Sequence, residues 1–513
     1  MDSYIDDVVK TSARLSNYMM TSFAWDWHVI SSIALCFLLC HRVTIWTYNL
    51  YFHPLAEFPA PFLGRSSLLW RFIHTSTGKI HLSTAEMHRK YGPIVRLAPN
   101  ELSFGSVESW KALYGHPTPQ KPMPVKAAFY EVFSAGFRRR CIGSERDPHK
   151  HSQMRKMLSP AFSQRALLEQ ESIIGGIVDR FIKIVGERAP AESKGINMTK
   201  WFEMSSFDIL GEMAFGESFH SLENGKPHFW GDLIVEHLYL ITLADNLRRI
   251  GLIAALFKLV VPSFLLLQNQ NSRYSRNQVE KCLASKSSRN DFVTLLAEKV
   301  RKGEVEKEEM AAHVSTFAIA GGETVSTFLA ATTFFLLQHP AKLDRLVSEI
   351  RGAFPSYDEI KAQHAQQLPY LQAVINEGLR LCPPGSQGSP RVSPGFELHG
   401  RYIPEGVDIY TSPWTTAHDP EYFSEPMQFK PERWLDSTST DVKDASQPFL
   451  IGPRACIGRS FAYMEMNLIL AKMLWTYNLE LVNKDLDWLK EGKVHVLWWK
   501  PKLMIRFHKR QDL

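Results

Sequence analysis

Residues 311–340 carry one formal charge, Glu323, in a chain of 513 residues that is 22% charged overall. A helix of that composition is apolar on every side and has to be covered nearly all round. The chain can provide such cover, since 45% of it is hydrophobic and 12% aromatic. Gly321-Gly322-Glu323-Thr324 lies in the middle of the run among many serines and threonines. The stretch therefore reads as the central core helix of a large domain rather than as a membrane span, and His339-Pro340 closes it.

The covering elements are also legible. Apolar residues recur at three- and four-residue steps through much of residues 152–372, as in LLEQESIIGGIVDRFIKIV at 167–185. Strand-like runs are short: IVRLA at 94–98, VDIYTS at 407–412 and LMIRF at 503–507. From residue 61 to residue 513 there is no repeat period, low-complexity tract or inter-domain linker. The expected fold is mainly α with small β-sheets at the two ends of the sequence.

A second apolar run, WHVISSIALCFLLCHRVTIW at 27–46, is twenty residues long, which spans about 30 Å as a helix. Arg42 lies near its end and can reach the headgroups, while Trp25, Trp27, Trp46 and Tyr48 supply aromatic residues for both interfaces. No basic segment leads directly into the run, and Asp2, Asp6 and Asp7 precede it, so a retained anchor fits better than a cleaved signal. After it, HPLAEFPAP at 53–61 places three prolines in nine residues and reads as a stiff hinge. The expected organisation is a tail (1–26), an anchor (27–48), a hinge (49–61) and one large domain (62–513). A net charge of +6 is too diffuse over this length to indicate nucleic acid. The six cysteines form neither a disulfide scaffold nor a CxxC pair, which leaves a single ligating or reactive cysteine as the open possibility.

Cys456 fits that role. A lone cysteine is ordinarily a small buried hydrophobe. This one lies in FLIGPRACIG, residues 449–458, just ahead of the helical pattern FAYMEMNLILAKMLW at 461–475. Glycines four residues before it and two after let the backbone approach a bulky planar group, and amides at a helix N-terminus stabilise a negative sulfur. The FxxGxRxCxG pattern resembles the haem-thiolate signature of the cytochrome P-450 monooxygenases, which place the proximal ligand of haem b at the position of Cys456. Three further motifs occur in family order, so the resemblance covers roughly residue 52 to the C-terminus. It implies the haem-thiolate fold, preceded here by one transmembrane helix.

The resemblance carries roles for other residues. Glu377 and Arg380 of EGLR, with Arg433 of FKPERW, would form a buried structural triad behind the haem. His151, Arg155, Arg391 and Arg454 match propionate-binding positions, although tryptophan is common where this chain has His151. Phe449, Gly452 and Gly458 would lie against the cofactor. AGGET at 320–324 matches the oxygen-activation motif: Thr324 would hold the distal water and the oxygen being cleaved, and Glu323 would link them to solvent, with the glycines making room for dioxygen. Val325 replaces a frequent serine or threonine.

Substrate contacts are expected in 121–137, 201–267, at Phe317 and Ala320, and in 386–390 and 496–499, which are mostly apolar and aromatic. The implied activity inserts one atom of O2 into a lipophilic small molecule, with electrons from NADPH-cytochrome P-450 reductase. The setting would be the endoplasmic reticulum membrane with the domain cytosolic, and segments such as NLYFHPLAEFPAPFLG resemble fungal secondary-metabolism members. Two rival readings keep the haem: a reductase-independent isomerase or dehydratase, and a non-catalytic haem carrier or sensor. The intact Gly321, Glu323 and Thr324 weigh against the first.

Overall fold

The computed structural model describes residues 2–118, 122–249, 262–284 and 292–510. Lys121 and residues 250–261, which fall within two of the segments expected to touch substrate, lie outside the described residues.

The uncharged run forms the central helix, Lys307–Leu337. It starts earlier than the uncharged stretch because Glu308 and Glu309 occupy its first turn, where they complement the helix dipole. His339 caps the next helix, Pro340–Ala353, rather than ending the central one. A flanking helix, Met198–Phe215, packs along the central helix and is itself buried on nearly every side. Between residues 310 and 336 of the central helix the exception to burial is one stripe: Ala320 is exposed, and Thr316, Gly321 and Thr324 are half-buried.

The amphipathic pattern at 167–185 resolves into two helices, Gln164–Glu169 and Glu171–Arg188, broken at Gln170. Ser163 starts the first by accepting the Ala166 amide at 3.3 Å. The expected strands are present as Ile94–Ala98, Asp408–Thr411 and Met504–Lys509. The first two share one sheet across the sequence, and the third belongs to another. A single five-stranded sheet has the order Ile94–Ala98, Glu101–Phe104, Asp408–Thr411, Arg391–Val392, Val125–Lys126, so the C-terminal half is stitched into the N-terminal one. Glu101–Phe104 and Asp408–Thr411 pair in parallel and the other neighbours antiparallel. Met504–Lys509 is the middle strand of a second sheet between Ile196–Asn197 and Tyr477–Leu481.

At the N-terminus one helix runs without interruption from Asp2 to Thr47 and continues into a π-helical turn, Tyr48–Phe52. The segment expected as a tail thus extends the helix of the anchor. From Trp27 into that turn the chain is long and apolar enough to cross a membrane, and residues 27–44 are exposed. The proline-rich segment after it is seated on the first sheet. Leu55 and Phe58 are fully buried, and Arg96 donates to the carbonyls of Asn49 at 2.9 Å and Leu55 at 3.3 Å. The segment bonds within itself, Ala56 N donating to His53 O at 2.8 Å and Phe58 N to Leu55 O at 3.2 Å, and the sheet adds Arg96 N donating to Pro59 O at 2.9 Å.

Candidate active site

The loop carrying Cys456 is shaped by two backbone conformations. Leu450 has φ of 57° and Gly452 φ of 72°. A Cβ at Gly452 would lie 2.1 Å from the Tyr114 carbonyl oxygen, so only glycine fits there. The loop closes on itself through Cys456 N donating to Phe449 O at 2.8 Å and Ala455 N to Gly452 O at 3.0 Å. It leaves Cys456 exposed two residues ahead of Gly458, which caps the helix Arg459–Thr476. The surrounding protein raises the thiol pKa above its ordinary value; the Gly458 amide and the charges of Arg155 and Arg459 oppose that shift. A metal ion would therefore have to draw off the proton, as metals do from a coordinating thiol.

Beside this loop lies a cluster of basic groups. Arg454 donates to the carbonyls of Glu145 at 2.9 Å and Arg146 at 2.8 Å, and its Nε is buried with no partner. Lys126, which the sequence reading did not single out, donates to the carbonyls of Ile142 at 2.8 Å and Gly143 at 2.7 Å. Arg391 donates to the Tyr130 hydroxyl at 3.0 Å and lies over the rings of Tyr114 and Tyr130. Burial, then Arg454 and Arg391, push Lys126 well below its ordinary value; burial, then Arg391, lower Arg454 to about 10. His151 is held down to about 3 by burial, then by Lys126, Arg454, Arg155 and Arg391. It is a neutral imidazole at physiological pH. Arg155 Nη1 donates to the Ala455 carbonyl at 2.6 Å, bracing the cysteine loop.

Segment 141–146 links this cluster to the central helix. Arg454 holds one side of it, while Cys141 Sγ lies 2.8 Å from Thr316 Oγ1 on the other. The cysteine loop, that segment and the accessible stripe of Thr316, Ala320 and Thr324 are thereby joined. Thr324 Oγ1 donates to the Ala320 carbonyl at 2.7 Å, a back-bond common for helical threonine that leaves the oxygen free to accept. Glu323 does not share the stripe. It is 7% exposed and pairs with Lys500, whose Nζ lies 2.5 Å from Glu323 Oε2. Nor do the glycines open space for dioxygen. A Cβ at Gly321 would meet Leu210 and one at Gly322 would meet Phe207, each at 3.0 Å, so the pair admits the flanking helix instead.

Glu377, Arg380 and Arg433 come together. Glu377 Oε1 accepts from Arg380 Nη2 at 2.8 Å and Arg433 Nε at 3.2 Å, and Oε2 accepts from Arg380 Nε at 2.9 Å. The Lys430 amide at 2.8 Å and Trp434 Nε1 at 2.9 Å complete its shell. Burial alone would raise the Glu377 carboxyl, but Arg380 and Arg433 outweigh it and hold the group below its ordinary value.

Haem-thiolate chemistry needs one accessible cysteine, cations for two carboxylates, and a hydroxyl-bearing apolar wall. This chain fits: Cys456 is exposed, and a Cβ at Gly458 would be 4.0 Å from its sulfur with nothing nearer. The clustered Lys126, Arg391 and Arg454 repel one another and would be relieved by anionic propionates. A buried central helix, a cysteine loop leading into a second helix, and a carboxylate locked between two arginines define a haem-thiolate oxygenase. The chain belongs to the cytochrome P450 family, whose model matches residues 59–507, and it is a monooxygenase. It is 63% identical over 484 residues to the cytochrome P450 monooxygenase BOT4 of Botryotinia fuckeliana, covering 94% of this chain and 92% of that one. The cytochrome P450 monooxygenase ORF9 of Penicillium roqueforti is 54% identical over 480 residues, 94% of this chain and 93% of its own. The trichothecene C-15 hydroxylase of Fusarium sporotrichioides is 35% identical over 475 residues, 91% and 96% of the two chains.

Proposed function

We propose that the protein oxidises a lipophilic small molecule in fungal secondary-metabolite biosynthesis, by hydroxylation, epoxidation or a related oxidation. The electrons come from NADPH through a separate reductase, and residues 27–48 anchor the chain in the endoplasmic reticulum membrane with the domain in the cytosol. The exposed Cys456, joined to the accessible stripe of an otherwise buried helix, is the observation that carries this reading. When bound, haem b supplies dioxygen activation and oxygen-atom transfer.

The protein's part is to hold, orient and protonate. Cys456 ligates the metal as its thiolate, oriented by the Gly458 amide and by Arg155 through the Ala455 carbonyl. Arg391, Arg454 and neutral His151, with Lys126, bind the propionates, and Phe449 and Gly452 shape the loop on the cysteine side. Thr324 Oγ, whose own proton is engaged by Ala320, would accept a hydrogen bond from a water on the accessible stripe. Glu323, which lies off that stripe and pairs with Lys500, would link this water to solvent as the acid of the motif. Apolar Phe317 and Ala320 keep the substrate side dry. The exposed Lys150, Lys156 and Arg459 lie on the cysteine side and suit an acidic reductase surface.

Deletion of the gene in its source organism, followed by metabolite comparison, identifies the compound that accumulates. Purified protein with NADPH and reductase should convert that compound to an oxygenated product. Failure to consume NADPH or to incorporate oxygen from O2 overturns the proposal.

A further inference from the structure

The accessible stripe of the central helix carries two hydroxyls, and the chemistry above uses only one of them. Thr324 Oγ1 turns back to the carbonyl four residues earlier, and Thr327 Oγ1 does the same to Glu323 at 2.7 Å, the common habit of a helical threonine. Thr316 departs from it. Its one hydrogen-bond partner among the described residues is Cys141 Sγ at 2.8 Å, which lies outside the helix. The rotamer is fixed from a second side, because a Cβ at Gly143 would lie 2.9 Å from Thr316 Cγ2 and the methyl fills the place of the missing side chain. Cys141 is fully buried, and its segment is anchored by Lys126 on the Ile142 and Gly143 carbonyls and by the Ile142 amide donating to His313 Nδ1 at 3.3 Å.

We propose that Thr316 determines specificity: its hydroxyl donates a hydrogen bond to an acceptor oxygen of the substrate, and Cys141 is the positioning residue that keeps this hydroxyl off the helix backbone. The inference rests on the proposed function and deepens it, naming the substrate class as a lipophilic molecule with a ketone, ether, ester or hydroxyl oxygen remote from the carbon that is oxidised. A thiol is a weak donor and its sulfur a weak acceptor. If Cys141 donates to Thr316, the threonine proton has no acceptor among the described residues; if Thr316 donates, its proton is spent on a poor one. A substrate oxygen offers a better bond in either case, and a hydroxyl left unpaired against a substrate that excludes water weakens binding. Thr316 and Thr324 are eight residues apart, about 12 Å along the helix, and Ala320 between them presents only a methyl group. A molecule tethered at Thr316 therefore lies along Ala320 and brings its far end to the Thr324 face.

Exchange of partners leaves nothing stranded. Ser144 Oγ lies 3.3 Å from the same sulfur, so Cys141 keeps a partner when Thr316 turns to the substrate. The competing account is a tie that only fastens segment 141–146 to the central helix. That segment already has four of its carbonyls held at 2.7–2.9 Å by Lys126 and Arg454, so a weak bond to sulfur adds little to its hold.

Binding of rigid polycyclic ketones, from adamantanone to androstanone, each paired with its parent hydrocarbon, to the haem-loaded, full-length protein tests the anchor. Dissociation constants are read from the Soret band. At least one ketone should bind more tightly than its hydrocarbon by roughly two- to tenfold, the range of one neutral hydrogen bond. Thr316→Val should abolish that preference without weakening hydrocarbon binding or haem loading. Independently of affinity, the infrared carbonyl stretch of the bound ketone should be lower in the wild type than in Thr316→Val. In the wild type the ketone, but not the hydrocarbon, should shift the S–H stretch of Cys141, assigned by its loss in Cys141→Ser. That variant keeps a partner for the hydroxyl and should retain more of the ketone preference than Cys141→Ala. No preference in any wild-type pair, a preference or carbonyl stretch unchanged in Thr316→Val, or equal weakening of both series there would overturn the anchor and leave the monooxygenase reading standing. An unmoved S–H stretch, or wild-type preference in Cys141→Ala, would overturn the role of Cys141. Wild-type protein that binds neither series would overturn the reading of a lipophilic substrate on which the inference rests.

Discussion

Glu377→Gln removes one charge and almost no volume, yet it should cost more stability than most core truncations. Five N–H donors converge on the two Glu377 oxygens: two from Arg380, one from Arg433, the Lys430 amide and the Trp434 indole. Glutamine keeps one of those oxygens and turns an NH2 group toward donors at the other position. Arg433 retains Asp441 as a second anion, but the other acceptors of Arg380 are the carbonyls of Ala417, Pro426 and Gln428. Leaving a buried guanidinium without its carboxylate costs about 3–5 kcal/mol, a large part of the ~5–15 kcal/mol that holds a typical domain folded. Urea unfolding of the haem-loaded variant, followed by the Soret band and tryptophan fluorescence, reads the loss as a lower midpoint at unchanged slope. The folded-state pKa of Glu377 lies below its unfolded value. Its contribution is therefore complete at neutral pH and is lost as pH falls below about 4.5 through the lower folded value. A midpoint shift equivalent to less than about 1 kcal/mol at pH 7 would refute the reasoning, because an exposed pair loses no more than that.

Glu465, fully buried with the Ser206 hydroxyl as its one donor among the described residues, has its pKa pushed up to about 8 by burial. Stability should be complete below about pH 4.5 and fall by roughly 3–5 kcal/mol as pH rises through 8, whereas Glu465→Gln should lack this slope in unfolding measured across that range. Thr324→Ala should load haem normally but lose product far more than NADPH oxidation, with peroxide making up the difference; wild-type coupling would reduce the hydroxyl to its back-bond with Ala320. Deleting residues 1–48 should leave a haem-binding domain, because buried contacts begin at Asn49, and the intact chain should resist carbonate extraction. Its release into the supernatant would refute an integral anchor.

What was legible depended on whether the determining interactions were local. The central helix could be read because its burial is written in thirty consecutive residues, and Ile94–Ala98 because it is a short run of apolar residues begun by two β-branched ones. Arg380 lies three residues from Glu377, so that pair is a matter of helical spacing. Lys500 and Glu323 are 177 residues apart, and no local pattern marks a lysine in WWKPK as the partner of an acid on another helix. Lys126 escaped notice for the same reason, since its acceptors are carbonyls of a different loop. The glycines of AGGET were read for the room they leave, whereas the structure fills that room with Leu210 and Phe207 from a helix over a hundred residues earlier. The break at Gln170 runs against a continuous apolar period, so no local pattern marks it.

The central claim is that Cys456 alone among the side chains ligates the metal, as a thiolate. The carbon monoxide complex of the reduced protein tests it directly, because thiolate ligation shifts the Soret band to the red of its position with histidine. Wild type should show the shifted band at full occupancy, and Cys456→His should bind haem without it. A shifted band that survives in Cys456→His, or that is missing from correctly folded, haem-loaded wild type, would contradict the assignment.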